Sequence, residues 1–174
     1  MVSMDVIAAE AGVTKPIVYR HFGDRVGLAT ALADQFGSEL VAELDDALTQ
    51  DLPPEQLLRA TIDTYLAFVE RDPQLYTFLI GRLGAPVGHE VANGLVAQVG
   101  SRVALVLGEQ LRSLGIDSGP AEPWAFGIVG MVHLAGDWWL ERRTMTRARL
   151  VDDITALLWH GLGGLVPATR EEER

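Results

Sequence analysis

The 174 residues contain no cysteine, which excludes disulfides and thiolate metal sites. That absence fits a reducing cytoplasm, the compartment expected for this chain. No basic segment followed by an apolar core opens the sequence, so no secretory signal is visible. The uncharged stretch 123–136 is too short and too glycine-rich to cross a bilayer, and no membrane partner is expected. Period-two alternation and internal repeats are both missing, which leaves an all-α class. No phosphate-cradling loop, dinucleotide-binding glycine pattern or Ser or Cys nucleophile motif occurs. His89-Glu90-Val91-Ala92-Asn93 nearly spells a zinc-protease helix, but Asn93 stands where the second ligand would be. No metal or cofactor is expected. Positive charge is scarce, and a net charge of −10 by itself argues against nucleic acid.

What is present is a hydrophobic fraction of 48% with 22% charged residues, the composition of a soluble globular protein. The length allows one sizeable core or two small ones. The few cations are unevenly placed. Lys15, Arg20, His21 and Arg25 cluster in one short element, opposed there only by Asp24. Screening confines a field to about 8–10 Å, so a small basic face on an acidic body can still hold DNA.

That element lies in Met4 to Arg25, MDVIAAEAGVTKPIVYRHFGDR. Met4, Ile7, Ala8 and Ala11 recur at helical spacing. Gly12 stands where a helix ends in the left-handed region. Thr14 is placed to cap a second helix, with Pro16 in its first turn. Ile17, Val18 and Phe22 are expected inward, with Lys15, Tyr19, Arg20 and His21 outward. Two helices joined by a short glycine-containing turn make a helix-turn-helix, whose second helix enters the DNA major groove.

IAAEAGVTKPIVYRHFGDR resembles the signature of the tetracycline-repressor (TetR) family of transcriptional regulators. Ala8, Ala11, Gly12, Val13, Tyr19 and Phe22 carry the resemblance. It implies a dimeric, ligand-responsive regulator, usually a repressor, binding a double-stranded palindromic operator. Thr14, Lys15 and Arg20 would then touch phosphates or base edges. Tyr19 and His21 would add phosphate contacts, and Pro16 an apolar contact in the groove. Relatives carry a further helix ahead of this unit, whereas only Met1, Val2 and Ser3 precede Met4. Either the start lies upstream, or the DNA-binding unit is weakened by lost cover over Ile7, Val18 and Phe22. The second case gives a rival reading: a helical protein that binds effector or dimerises without gripping DNA.

Asp24 is expected to cap a long helix with Leu28, Leu32, Phe36, Leu40, Leu44 and Leu48 every four residues. Leu52-Pro53-Pro54 stops it. Helices are then expected over about 54–71, 73–82, 89–114, 123–140 and from Thr146 to Leu165. The domain organisation expected is 1–36 for DNA binding, 37–166 for a helical ligand-binding and dimerisation unit, and 167–174 as a tail.

The last two helices are apolar on several faces. A homodimer that joins them in a four-helix bundle would cover the excess, and Val129, His133, Ile154 and Leu158 are its expected seam. Close packing of glycine-rich segments within one chain is the alternative. His133 and Asp137, four apart with no nucleophile beside them, read as a buried hydrogen-bonded pair rather than a catalytic one. An effector site is expected among Tyr65, Phe68, Tyr76, Phe78, Arg82, Trp124 and Met131. Aromatic walls with one cation suit a small hydrophobic molecule carrying an acidic or carbonyl group. Those aromatics also read as plain core, and the effector role is what the family resemblance implies.

Overall fold

The fold comes from a computed structural model. It describes residues 3–79 and 88–161, with the backbone alone over 88–92. Among the described residues there are eight helices and no strand: α1 (Met4–Glu10), α2 (Lys15–Phe22), α3 (Arg25–Leu48), α4 (Pro54–Arg71), α5 (Pro73–Leu79), α6 (Gly88–Ser113), α7 (Ala121–Arg142) and α8 (Arg147–His160).

Local signals set the first three. The Ser3 hydroxyl caps α1, accepting from the Val6 N–H at 3.3 Å. Gly12, at φ 67°, turns the chain in a conformation that costs other residues a steric penalty. Thr14 occupies the cap position of α2 with extended backbone, but its hydroxyl accepts no cap hydrogen bond. Asp24 caps α3 through the Gly27 N–H at 2.9 Å. Gly27 has a stricter reason to be glycine. A Cβ there would lie 1.9 Å from the Phe22 carbonyl oxygen, so the end of α2 crosses the start of α3 only over a bare backbone.

Met4, Ala8 and Val18 form a small core under this unit, backed by Ile7 and Leu28. Of the residues expected inward on α2, only Val18 is buried; Ile17 and Phe22 are 37% and 36% exposed. The seven-residue α1 covers Val18 and leaves the flanks of α2 open.

α3 is one unbroken helix of 24 residues, so it joins this unit to the rest of the chain as a single lever. Its four-residue apolar stripe drifts by about 40° per step. Phe36, Leu40 and Leu44 are accordingly buried, while Leu32 is exposed. Two interiors follow. In one, α3, α4, α5 and α6 enclose Phe36, Leu40, Leu44, Phe68, Val69, Tyr76 and Leu79. In the other, α4, α7 and α8 enclose Ile62, Leu66, Val132, Trp139, Leu150, Val151 and Ile154. Arg147 spans α8 to α4, donating to Asp63 at 2.8 Å and Glu70 at 2.9 Å. Arg59 returns the link to Asp152 at 2.8 Å.

Candidate functional site

Two surfaces carry the chemistry. The first is the outer face of α2. Thr14, Lys15, Pro16, Tyr19, Arg20 and His21 are all exposed there. Lys15, Pro16, Tyr19 and Arg20 share the side of α2 turned away from the buried Val18, with Thr14 at the N-cap and His21 on a flank. Lys15 is already engaged: its Nζ lies 2.8 Å from the Asp5 carboxylate on α1 and 5.7 Å from the centre of the Tyr19 ring. The bond and charge of Asp5 raise the Lys15 pKa, which keeps that ammonium charged.

The second is a cavity of about 720 Å³ enclosed by α3, α4, α6, α7 and the end of α8. Leu40, Leu44 and Leu48 of α3 face Val99, Val103 and Val106 of α6 across it, and Ile128 and Val132 of α7 close a third side. It contains no Asp, Glu, Lys or Arg side chain among the described residues. Trp124 and Trp159 line it while remaining half exposed, which puts them at its rim.

Apart from Thr61 and Gln110, the polar side chains of the cavity wall gather in one place. The Tyr65 and Tyr76 hydroxyls are 3.1 Å apart, and each lies 3.0 Å from His133 Nδ1. The Tyr76 hydroxyl also donates to Asp137 Oδ1 at 2.5 Å, a short charge-assisted bond to a buried carboxylate. Burial pushes both phenols well above their ordinary value, so each stays a donor at neutral pH. Both folded-state values exceed the unfolded one, so folding gains stability from the phenol forms below about pH 10 and loses it above. Two of the three tyrosines should therefore ionise only as the helical signal collapses above about pH 10. Parallel absorbance and circular-dichroism titrations read this directly; early ionisation of all three would place the pair in water.

The expected effector residues thus separate. Tyr65, Tyr76 and Trp124 line the cavity. Phe68 does not, because it turns under α3 and stacks edge-on against Phe36 at 4.7 Å. Phe78 packs on that same interior, outside the cavity wall. Met131 points outward and is 39% exposed. Arg82 lies outside the described residues.

The residues expected at the dimer seam lie as follows. Val129, His133 and Leu158 face the cavity, and Ile154 is buried in the chain's own interior. α7 divides its apolar residues between an inward side and an outward one, and these four positions lie on inward sides. The outward side of α7 carries Met131, Leu134 and Trp138, all exposed and close to one line along the helix. Sequence reasoning passed over Leu134, and it paired Asp137 with His133, whereas the Tyr76 hydroxyl donates to the buried Asp137 carboxylate. An i, i+3, i+7 count from Met131 finds the stripe, but no sequence signal ties Asp137 to Tyr76.

Among the described residues no group of His, Asp and Glu could hold a metal ion, and no helix is long and apolar enough to cross a membrane.

Comparison with known proteins agrees with this architecture. Residues 1–32 match the model of bacterial regulatory proteins of the tetR family. Residues 43–172 match that of the tetracyclin repressor-like C-terminal domain. An HTH-type transcriptional regulator of Mycobacterium tuberculosis is 35% identical over 169 residues, spanning 95% of this chain and 71% of the relative. The HTH-type transcriptional activator FasR of Mycolicibacterium smegmatis is 29% identical over 168 residues, spanning 96% of this chain and 76% of FasR. In fold, a TetR-like transcriptional regulator from Rhodococcus sp. RHA1 superposes with a TM-score of 0.64 at 23% identity, over 93% of this chain and 85% of that one. A TetR-family regulator from Streptomyces coelicolor gives 0.66 at 22%, over 94% and 72%. With both of its segments matched and the helix-turn-helix in place, the chain belongs to the TetR family of transcriptional regulators.

Proposed function

We propose that this protein is a cytoplasmic, homodimeric regulator that grips a palindromic operator through α2 and changes that grip when a small apolar molecule fills the cavity. One observation carries the reading: α3 belongs to both sites. Its start packs on the helix-turn-helix through Leu28, and its second half lines the cavity through Leu40, Leu44 and Leu48. A ligand that pushes α3 and α6 apart moves α2 with them. Paired half-sites on DNA are spaced by about 34–36 Å, so a small rotation of each α2 breaks the match. Where the operator overlaps a promoter, such a protein represses and its effector induces. The relative FasR is named an activator, and the same ligand-dependent grip serves activation when the operator lies beside a promoter.

Regulators of this family are not enzymes, and the Tyr–His–Asp group is read as a binding and positioning device. The outward stripe of Met131, Leu134 and Trp138 is the proposed seam with the second copy. Such a stripe on one helix suits four-helix packing across a two-fold axis.

The test is a fluorescence-anisotropy titration with the promoter DNA adjoining the gene, with and without a panel of hydrophobic compounds. Tight, salt-sensitive binding that weakens with a compound is expected. Arg20→Ala should weaken it and lower the magnitude of the salt slope by about one unit. Lys15→Ala should lower the slope less, because Lys15 exchanges Asp5 for a phosphate and its net gain of charge contact is smaller. A chain that binds no DNA at any salt concentration would be an effector-binding protein without this role.

A further inference from the structure

We infer that Asp5 competes with DNA for Lys15: its carboxylate holds the Lys15 ammonium in the free protein, and a backbone phosphate takes that ammonium only against it. This rests on the reading of α2 as the helix that grips DNA. It adds a residue of α1 that sets how tightly α2 grips.

The charge balance of the unit gives Asp5 its leverage. Residues 1–25 carry three Lys or Arg side chains and three Asp or Glu side chains, so the segment is formally neutral. The whole chain stands at −10. Attraction for a polyanion therefore rests on where a few cations stand, because their number gives no surplus. Arg25 already has a partner. Lys15 and Arg20 are the exposed cations of α2 itself.

Lys15 is held from outside its own helix. The turn at Gly12 brings α1 beside the start of α2, and Asp5 reaches Lys15 from ten positions earlier. Lys15 Nζ lies 2.8 Å from Asp5 Oδ1 and 2.9 Å from Oδ2, so both carboxylate oxygens face one ammonium. The hydrogen bond to Asp5 and its charge raise the Lys15 pKa, so Asp5 stabilises the charged form before any DNA arrives. Both side chains are 56% exposed, which leaves the pair open to a competing anion.

An ammonium has three N–H donors, and the carboxylate occupies one side of it. A phosphate that meets a remaining donor sits beside the Asp5 carboxylate and is repelled by it. A phosphate that displaces Asp5 breaks the pair and leaves a bare carboxylate at the DNA boundary. In either geometry Asp5 subtracts from what Lys15 supplies. Asp5 also stands in the first turn of α1, where the helix dipole favours an acid. That role concerns folding, and a binding measurement separates the two.

The experiment is a fluorescence-anisotropy titration of the full chain over a salt series, with the promoter DNA adjoining the gene and with a random duplex of equal length. Asp5→Asn removes the charge and keeps the size. Exposed ion pairs are worth about 1.5- to 5-fold, so this variant should bind tighter by about that factor at each half-site. The magnitude of its salt slope should rise by up to about one unit per half-site. The random duplex should gain by the same factor, because phosphates carry no sequence. Asp5→Glu should bind as the parent does, and the melting temperature of Asp5→Asn should stay near the parent's. In a Lys15→Ala background the gain from Asp5→Asn should fall away. Weaker binding by Asp5→Asn overturns the inference, because Asp5 would then position Lys15 for DNA. So does a gain that persists undiminished without Lys15, which is general repulsion, or one confined to the promoter DNA, which is base reading by Lys15. If parent and variants bind neither duplex at any salt concentration, the reading of α2 itself falls and takes this inference with it.

Discussion

Ile154→Asp is expected to unfold the C-terminal bundle instead of releasing a folded monomer. Ile154 is 6% exposed and packs among Ile62, Leu66, Val132, Trp139 and Val151, all within one chain. A carboxylate there loses its water and meets only apolar groups. The effective penalty for such an ion is several kcal/mol, and the lost burial of isoleucine adds about 1.5–3 kcal/mol. Against a typical total stability of about 5–15 kcal/mol, that removes most or all of it. Leu134→Asp provides the contrast, because Leu134 is 67% exposed on the outward side of α7. It should leave the helical signal intact and convert the proposed dimer to a monomer. Circular-dichroism melting and sedimentation of both variants separate the two outcomes. A well-folded, monomeric Ile154→Asp would put Ile154 at the seam after all.

The difference between those two residues shows what the linear chain reveals. The DNA-binding unit is legible because its signals are local. Gly12, Pro16 and Asp24 act on backbone groups within a few positions of themselves. The bounds of α4 follow from Leu52-Pro53-Pro54 and Asp72-Pro73 for the same reason. Periodicity likewise places Tyr65 and Phe68 on the inner side of α4. It cannot say which interior each enters, because two interiors meet there. Phe68 goes under α3, and Tyr65 goes to the cavity wall.

α7 is harder still, since apolar residues encircle it and several stripes compete. Its inward side is decided by α4 and α6, which are distant in sequence. The Tyr65–Tyr76–His133–Asp137 cluster draws on three helices, with Tyr76 and Asp137 separated by 61 positions. Nothing in their local context marks them as partners. Gly27 reads as an ordinary helix residue until the Phe22 carbonyl is seen beside it.

The adjacent tryptophans near the end of α7 divide the same way, and the second carries the other large expected effect. Trp138 is 42% exposed on the outward stripe, whereas Trp139 is 1% exposed in the interior of α4, α7 and α8. The Trp139 indole N–H donates to the Met145 carbonyl at 2.8 Å. The Arg143 guanidinium lies 4.3 Å over its ring, while Arg143 itself ends α7 in a left-handed conformation at φ 48°. One side chain thus fastens the α7–α8 turn that aims α8 along α4. Trp139→Ala removes a buried ring of a kind whose loss typically costs about 3–5 kcal/mol. Trp139→Phe keeps most of the buried area but leaves the Met145 carbonyl without its donor, a loss of about 1–3 kcal/mol. Urea denaturation should rank the parent above the phenylalanine variant, and that above the alanine variant. The alanine variant should also bind effector poorly, because Leu158 and Trp159 reach the cavity only while α8 is held in register. An alanine variant within about 1 kcal/mol of the parent would show that the ion pairs from Arg59 to α8 and from Arg147 to α4 position α8 without it.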